Sequence, residues 1–392
     1  MMLPLNPRLA ATFRPPIMEA RRWLDGLAPD PGRPLINVSQ AAPVGPPPEG
    51  LRQAIAEAAL TQAGAHLYGD VLGRPELREA VAAEWSRAYS ARLTADQVAI
   101  TQGCNQAFCA AMATVAGAGD EVIIVVPWYF NHKMWMDMQG ITAVPLSCGQ
   151  GMVPDPEAAA ALVTPRTRAL VLVSPNNPSG AEYPAEVLRG FYDLARSRGL
   201  ALILDETYRD FDSRDGAPHD LFTDPDWGDT LIQLYSFSKA YRLTGHRVGA
   251  LVASPERQVQ AEKVLDTLAI CASQLGQIGA LWGMRNLRGW LAGERQEILR
   301  RRAAMTRAMA GLDGWRLKGC GAYFAWAEHP FAESSATLAP RLLQEAGVLL
   351  LPGTMFMPEN DPEGARHVRI AFANVDEAGI ATLAERLSAI RA

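Results

Sequence analysis

A chain of 392 residues with 48% hydrophobic, 20% charged and 7% aromatic residues has room for two or three domains or one large α/β unit, and this composition excludes disordered, collagen-like and coiled-coil classes. Its net charge is −5 and no lysine or arginine run gathers on one segment, so nucleic acid and anionic membrane surfaces are poor partners. Five scattered cysteines without a CxxC pair, a start lacking the basic and apolar stretches of a signal peptide, and a longest apolar run of only 122–130 together predict a soluble cytoplasmic protein with reduced thiols.

In chain order, a short helix is expected near Ile17 to Leu27, followed by a Pro-rich crossing from Pro43 to Pro48 that no central strand or helix can contain. Apolar, β-branched runs then predict strands at 98–101, 121–126, 169–173, 200–204, 230–235 and 248–253. Several are continuously hydrophobic, as strands covered on both faces should be. Helical spacing intervenes at 106–116 and 184–198. From about Trp282 a long Arg-rich helix is expected to Leu312, then strands at 322–326, 348–351 and 368–372 and a closing helix. The alternation predicts an α/β fold with a mostly parallel, doubly wound sheet at 49–281 and a smaller α+β domain built from both ends, 1–48 and 282–392.

Only four of the 37 basic residues are lysines: Lys133, Lys239, Lys263 and Lys318. Chemistry that needs a deprotonatable amine is one reason to keep a lysine where arginine is otherwise used, because a guanidinium stays protonated. Ligands of an open α/β sheet bind outside the carboxyl ends of its strands. Those ends run into Gly103-Cys104-Asn105, Trp128-Tyr129, SPNNPSG (174–180), Asp205-Glu206-Thr207-Tyr208 and Ser236-Phe237-Ser238-Lys239. Each has an ordinary reading alone: a helix entry, a rim aromatic, a turn, an N-cap, a solvated loop lysine. Together they fit a pyridoxal 5′-phosphate site. Lys239 supplies an amine for the aldehyde, Asp205 a carboxylate for the pyridine nitrogen, and Tyr129 a covering ring. Gly103 to Asn105, Ser236 and Arg247 supply phosphate donors.

The run from YGDVLGRPEL (68–77) through SPNNPSG, LDETY and SFSKAYRLTGHRVG to HVRIAFAN resembles the fold-type I, class I/II aminotransferases of the aspartate aminotransferase superfamily over nearly the whole chain. The resemblance implies a seven-stranded, mostly parallel sheet in a large cofactor-binding domain. It implies that Lys239 bonds the cofactor and moves the substrate Cα proton, and that Asn177 and Tyr208 hydrogen-bond the ring hydroxyl. Arg369 is implied to pair with the substrate α-carboxylate. Tyr68 is implied to reach the phosphate of the neighbouring subunit, making a homodimer. The implied reaction exchanges an amino group between an amino acid and a 2-oxo acid.

The sequence departs from the family in places. His246 replaces an aromatic before the phosphate arginine, where a structural histidine is expected; Ala41 stands where many relatives have a substrate-covering glycine; and Cys104 is an unusual phosphate-loop residue that needs only its backbone. No GxGxxG occurs, which disfavours a dehydrogenase, and both Lys239 and Asp205 persist, which disfavours a non-catalytic relative. The motifs specify Cα deprotonation more closely than its outcome, so a C–S β-lyase or another Cα-carbanion enzyme of this fold is the alternative. Trp128, Tyr129, Trp135 and Phe356 are candidate aromatic pocket residues, and 33 arginines are too many for spacing to single out one that reads a side chain.

Overall fold

The computed structural model describes residues 3–28, 30–43 and 45–391. Strands are β1 Ile36–Asn37, β2 Val98–Thr101, β3 Glu121–Val126, β4 Thr142–Ser147, β5 Thr167–Val173, β6 Ala201–Asp205, β7 Leu231–Ser236, β8 Gly249–Val252, β9 Arg316–Gly321, β10 Phe324–Glu328, β11 Val348–Leu349, β12 Leu351–Pro352 and β13 His367–Ile370. Seven of them form one sheet in the order β2-β8-β7-β6-β5-β3-β4. β3 to β7 run parallel, while β8 is antiparallel to both of its neighbours.

The continuous apolar runs divide by parity between the two faces of this sheet. Leu202 and Leu204 enter one buried cluster with Ile100, Ile123 and Leu172, whereas Ile203 enters the opposite one with Ile124, Val171 and Ile232. A strand buried on both faces has no polar alternation to display. Helices cover those faces. In Ala185–Arg198 the buried residues Leu188, Phe191, Tyr192 and Ala195 repeat at helical spacing and form the stripe laid on the sheet.

β4 escaped the sequence reading for a physical reason: it is an edge strand, half exposed, with Pro145 in its middle. An edge tolerates the missing N–H that a central strand cannot.

The chain ends build a second layer. Its antiparallel sheet has the order β12-β13-β10-β9, and β1 pairs in parallel with β11. β9, an exposed edge that reads Arg-Leu-Lys-Gly-Cys-Gly, is a second strand the hydrophobic pattern does not reveal. The predicted strand at 348–351 splits between the two small sheets. The single helix expected from 282 to 312 is two helices, Gln274–Asn286 and Arg288–Ala310, separated at Leu287 (φ −111°, ψ 17°). The expected domain boundary at 281/282 thus falls inside the first of them. The N-terminal helix is shorter than expected, Pro16–Arg22.

Candidate active site

A cavity of about 660 Å³ opens at the carboxyl ends of the parallel strands and is closed on one side by the N-terminal segment. Asp205, the last residue of β6, is 3% exposed. Its Oδ1 accepts from the Thr207 N–H at 2.9 Å, and its Oδ2 lies 3.4 Å from His132 Nε2. Burial pushes the carboxyl up, but the His132 contact and the Thr207 hydrogen bonds outweigh it and hold Asp205 below the ordinary range. His132 is fixed in turn by stacking on Phe108, with ring centroids 3.8 Å apart.

Ser236 ends β7, and its Oγ accepts from the Ser238 N–H at 3.3 Å, starting the short helical turn Phe237–Ala240 that carries Lys239. Lys239 Nζ enters the cavity and donates to the Ala41 carbonyl at 2.5 Å. Burial, reinforced by the charges of Arg247 and Arg369, pulls its amine down to about 8. Tyr208 borders the cavity with its ring packed on Tyr323 and Phe324, and burial pushes its phenol well up. Tyr129 donates to Asn105 Oδ1 at 3.3 Å and meets the His132 ring edge-on at 5.0 Å.

Arg369 lies in β13, is 2% exposed and enters this large-sheet cavity from the small sheet. Its Nη1 donates to Asn177 Oδ1 at 3.0 Å, its Nη2 donates to the Ser39 carbonyl, and its Nε is buried without a partner. The guanidinium rests on Phe356 and Phe324 at 4.8 and 5.1 Å. Burial pulls it down to about 10, still protonated at neutral pH.

The anion-binding end tests the cofactor fit. Gly103 (φ +78°) precedes helix Cys104–Ala113, whose first turn has no acidic residue. A Cβ at Gly103 would collide with the Arg247 guanidinium, and one at Gly249 would sit 2.6–2.7 Å from the Gly103 and Cys104 backbone. The two glycines let a helix N-terminus, Ser236 and Arg247 converge, which is the donor set a phosphate monoester requires. Cys104 is buried here with its thiol pushed well up by burial, so it stays neutral and contributes through its backbone.

Eleven of the thirteen residues singled out in the sequence line this one cavity: Ala41, Cys104, Asn105, Tyr129, Asn177, Asp205, Tyr208, Ser236, Lys239, Arg247 and Arg369. Gly103 lies beneath Arg247, and Tyr68 does not line the cavity and is 79% exposed. Of the suggested aromatic pocket residues only Tyr129 borders it; Trp128 and Trp135 pack into the core, and Phe356 lies against Arg369. Sequence reasoning missed His132, whose signal is its place in the helix entered directly from β3. It also missed Ile17, Met18 and Arg21 of the N-terminal helix.

Residues 33–387 match the family Aminotransferase class I and II. An aromatic aminotransferase of Arabidopsis thaliana is 30% identical over 82% of this chain and 80% of its own length. A probable aspartate/prephenate aminotransferase of Thermus aquaticus is 30% identical over 88% of each. The solved structure of Thermus thermophilus aspartate aminotransferase with maleate superposes with a TM-score of 0.89 at 27% identity, covering 99% of both chains. With a buried acid, a depressed lysine and an anion-binding turn meeting in one cavity, the chain belongs to the class I and II aminotransferases, enzymes that depend on pyridoxal 5′-phosphate.

Proposed function

We propose that the cavity at the strand ends is the transamination site, with Lys239, Asp205 and Tyr208 as its catalytic residues. The observation that carries this reading is the convergence of Lys239, Asp205 and Arg369, from three separate segments of the chain, on one cavity. Pyridoxal 5′-phosphate, when bound, supplies an aldehyde that takes up the amino group and a ring that draws electrons from the substrate Cα. Gly103, Cys104, Asn105, Ser236 and Arg247 would hold its phosphate. Asp205, kept ionised by His132 and Thr207, would keep the ring nitrogen protonated, and Tyr129 would cover the ring face.

An amine with its pKa near 8 is only a small step from its free-base form at neutral pH. Lys239 Nζ can therefore accept the proton leaving the substrate Cα. Tyr208, whose phenol is kept protonated by burial, would donate a hydrogen bond to the ring hydroxyl of the cofactor, together with Asn177. Arg369 presents a fork of N–H donors to the α-carboxylate of the incoming amino acid. It exchanges the Ser39 carbonyl for a charged partner, which suits a guanidinium better. Ala41 lines the substrate end and keeps it narrow.

The same reading assigns 49–281 to the large domain and 1–48 with 282–392 to the small one, Arg369 being the small domain's contribution to the site. It makes the working unit a homodimer in which the exposed Tyr68 completes the partner's phosphate site, and it places the enzyme in the cytoplasm. The described residues contain no helix long and apolar enough to cross a membrane.

The deciding experiment adds an amino donor without an acceptor. Stoichiometric bleaching of the visible cofactor band, reversed by a 2-oxo acid, supports transfer. Steady release of ammonia and pyruvate from a β-substituted donor, with the band persisting, would replace transfer by β-elimination.

A further inference from the structure

β6 ends in a turn whose side chains divide between the two sides of the large sheet. Asp205 and Tyr208 enter the active-site cavity, whereas Glu206 and Arg209 point behind it, toward the helix Pro75–Ala88 and Tyr89 that follows it. On that hidden side the Arg209 guanidinium lies over three aromatic rings, Trp85 at 4.1 Å, Tyr89 at 4.8 Å and Tyr235 at 6.0 Å. Its Nη1 is buried without a hydrogen-bond partner. The acids whose charge reaches Arg209 are each held by another group. Glu84 pairs with Arg87 and Arg288, Glu206 accepts from Tyr89 and Gln233 and lies 3.3 Å from His219 Nε2, and Asp210 accepts from Tyr235 at 2.7 Å.

A guanidinium is a planar fork of donors that ordinarily collects carboxylates or carbonyls. One held by ring faces is instead fixed by shape and by the attraction of the ring quadrupoles for its charge. The cage is itself supported: Trp85 Nε1 donates to Gln233 Oε1 at 3.0 Å, and Trp85 meets Tyr235 edge-on at 4.9 Å. Tyr235 lies in β7 directly before Ser236, where the turn carrying Lys239 begins. Arg209 thus ties, behind the sheet, the end of β6 that bears Asp205 and Tyr208 to the end of β7 that bears Ser236 and Lys239. Contacts with Tyr323 and Phe324 set the plane of the Tyr208 ring, and Lys239 Nζ lies 5.9 Å from its centroid. The reach of the hydroxyl follows from the backbone turn, which Tyr208 opens by accepting the Phe211 N–H at 2.9 Å. Arg209 is the next residue of that turn.

We propose that Arg209 is a positioning residue for the transamination site: caged by Trp85, Tyr89 and Tyr235 behind the sheet, it fixes the turn that aims the Tyr208 hydroxyl at the cofactor ring. The proposal rests on the reading that Tyr208 donates to the ring hydroxyl. A neutral side chain in place of Arg209 loses the attraction of the rings, the turn shifts, and the hydrogen bond from the phenol lengthens.

The test is a double-mutant cycle on the holoenzyme with Tyr208→Phe, Arg209→Gln and Arg209→Lys, read by kcat, KM, the thermal midpoint and the pH titration of the visible cofactor band. A donor on the ring oxygen favours its anionic form, so losing that donor raises the pH at which the band titrates. In Arg209→Gln the titration should move up by about half a unit, part of the roughly one unit that a hydrogen bond to a charged group represents. Its kcat should fall about tenfold while KM stays within about twofold. Arg209→Lys, which keeps a cation over the rings, should restore both. In the Tyr208→Phe background Arg209→Gln should change neither, because the group it positions is gone. Arg209→Met, which keeps an apolar stem on the rings, carries the same expectations and replaces Arg209→Gln should that variant not fold. A lowered midpoint with an unmoved band, or effects fully additive with Tyr208→Phe, would make Arg209 a structural residue only and overturn this proposal alone. A band that Tyr208→Phe does not move overturns the reading of Tyr208 and this proposal with it.

Discussion

The guanidinium of Arg369 and the side-chain oxygen of Asn177, 192 positions apart in the chain, meet at 3.0 Å inside the cavity. One belongs to a strand of the small sheet, the other to the turn after β5 of the large one. The contact ties the proposed α-carboxylate clamp to a residue that would touch the cofactor ring, and it stiffens both. Arg369 is buried, stacked between two phenylalanines and tied to two acceptors, so its fork is oriented before any substrate arrives.

Replacing that fork by a point charge should therefore be costly. Arg369→Lys should lower kcat/KM for α-amino acids by about 10- to 100-fold, the cost of one or two charged hydrogen bonds. The visible band of the bound cofactor should remain. Unchanged steady-state kinetics would assign the α-carboxylate to another arginine.

The Lys239 amine predicts a pH dependence for cofactor loading. Only the free base attacks an aldehyde, and burial with Arg247 and Arg369 has pulled this amine down to about 8. The rate of reconstitution of the apoenzyme should rise with pH and level off above about 8, not above 10. Borohydride reduction and peptide mapping should then place the cofactor on Lys239. A label on Lys133, Lys263 or Lys318 would sink the assignment.

Tyr68 is 79% exposed beside Leu67, which is 66% exposed, an uncomfortable surface for a monomer. If it completes the partner's phosphate site, sedimentation should show a dimer. Tyr68→Phe should then weaken cofactor binding about tenfold, the loss of one charged hydrogen bond, without lowering the thermal midpoint. An active monomer would refute both statements.

Much of this site was legible because strand ends carry it. β6 and β7 end on Asp205 and Ser236 at the rim of the cavity, and the turns that follow the apolar ends of β3 and β5 bring Tyr129 and Asn177 to it. Less legible was everything whose position depends on packing between distant segments. Arg369, one of 33 arginines, is identified only through the HVRIAFAN resemblance and acquires its place when β13 pairs with β10 and β12. His132 reads as an ordinary helical histidine until Phe108 is stacked on it. Edge strands β4 and β9 carry proline, glycine and charge in place of an apolar signature, because one side of each is wet.

Two buried histidines set the acid limit of the fold. His329 and His367 are each 2% exposed, and burial pulls both below the ordinary histidine value despite backbone partners at Ala365 and Glu363. The sign follows directly: the unfolded chain binds these protons near pH 6.5 and the folded chain binds them only at lower pH. Their contribution to stability is complete above 6.5 and is lost as pH falls below it. The carboxylates held low, Asp205, Glu206 and Glu328, add their own loss only below about 4.5. The thermal midpoint should thus begin to drop between pH 6.5 and 5, before those three carboxylates titrate. A midpoint flat over that interval would contradict the burial argument.

The sharpest test of the acid beneath the cofactor concerns a residue that touches neither substrate nor product. Asp205 is buried, and burial alone would raise its pKa and neutralise it; His132 and Thr207 reverse that outcome. Of the two, His132 ranks ahead of Thr207, which acts through its hydroxyl and through a backbone N–H at 2.9 Å that no side-chain substitution removes, so His132 is the larger adjustable part. His132→Phe keeps the ring stacked on Phe108 and removes only the polar contact to Asp205 Oδ2. Asp205 should then titrate at higher pH, and the acid limb of the kcat profile should move upward with it. The rate on the plateau should fall about tenfold, in keeping with the loss of one hydrogen bond to a charged group. A purely structural role for His132 would lower the thermal midpoint and leave the acid limb in place, whereas an upward-shifted limb with an unchanged midpoint identifies His132 as the residue that keeps Asp205 ionised.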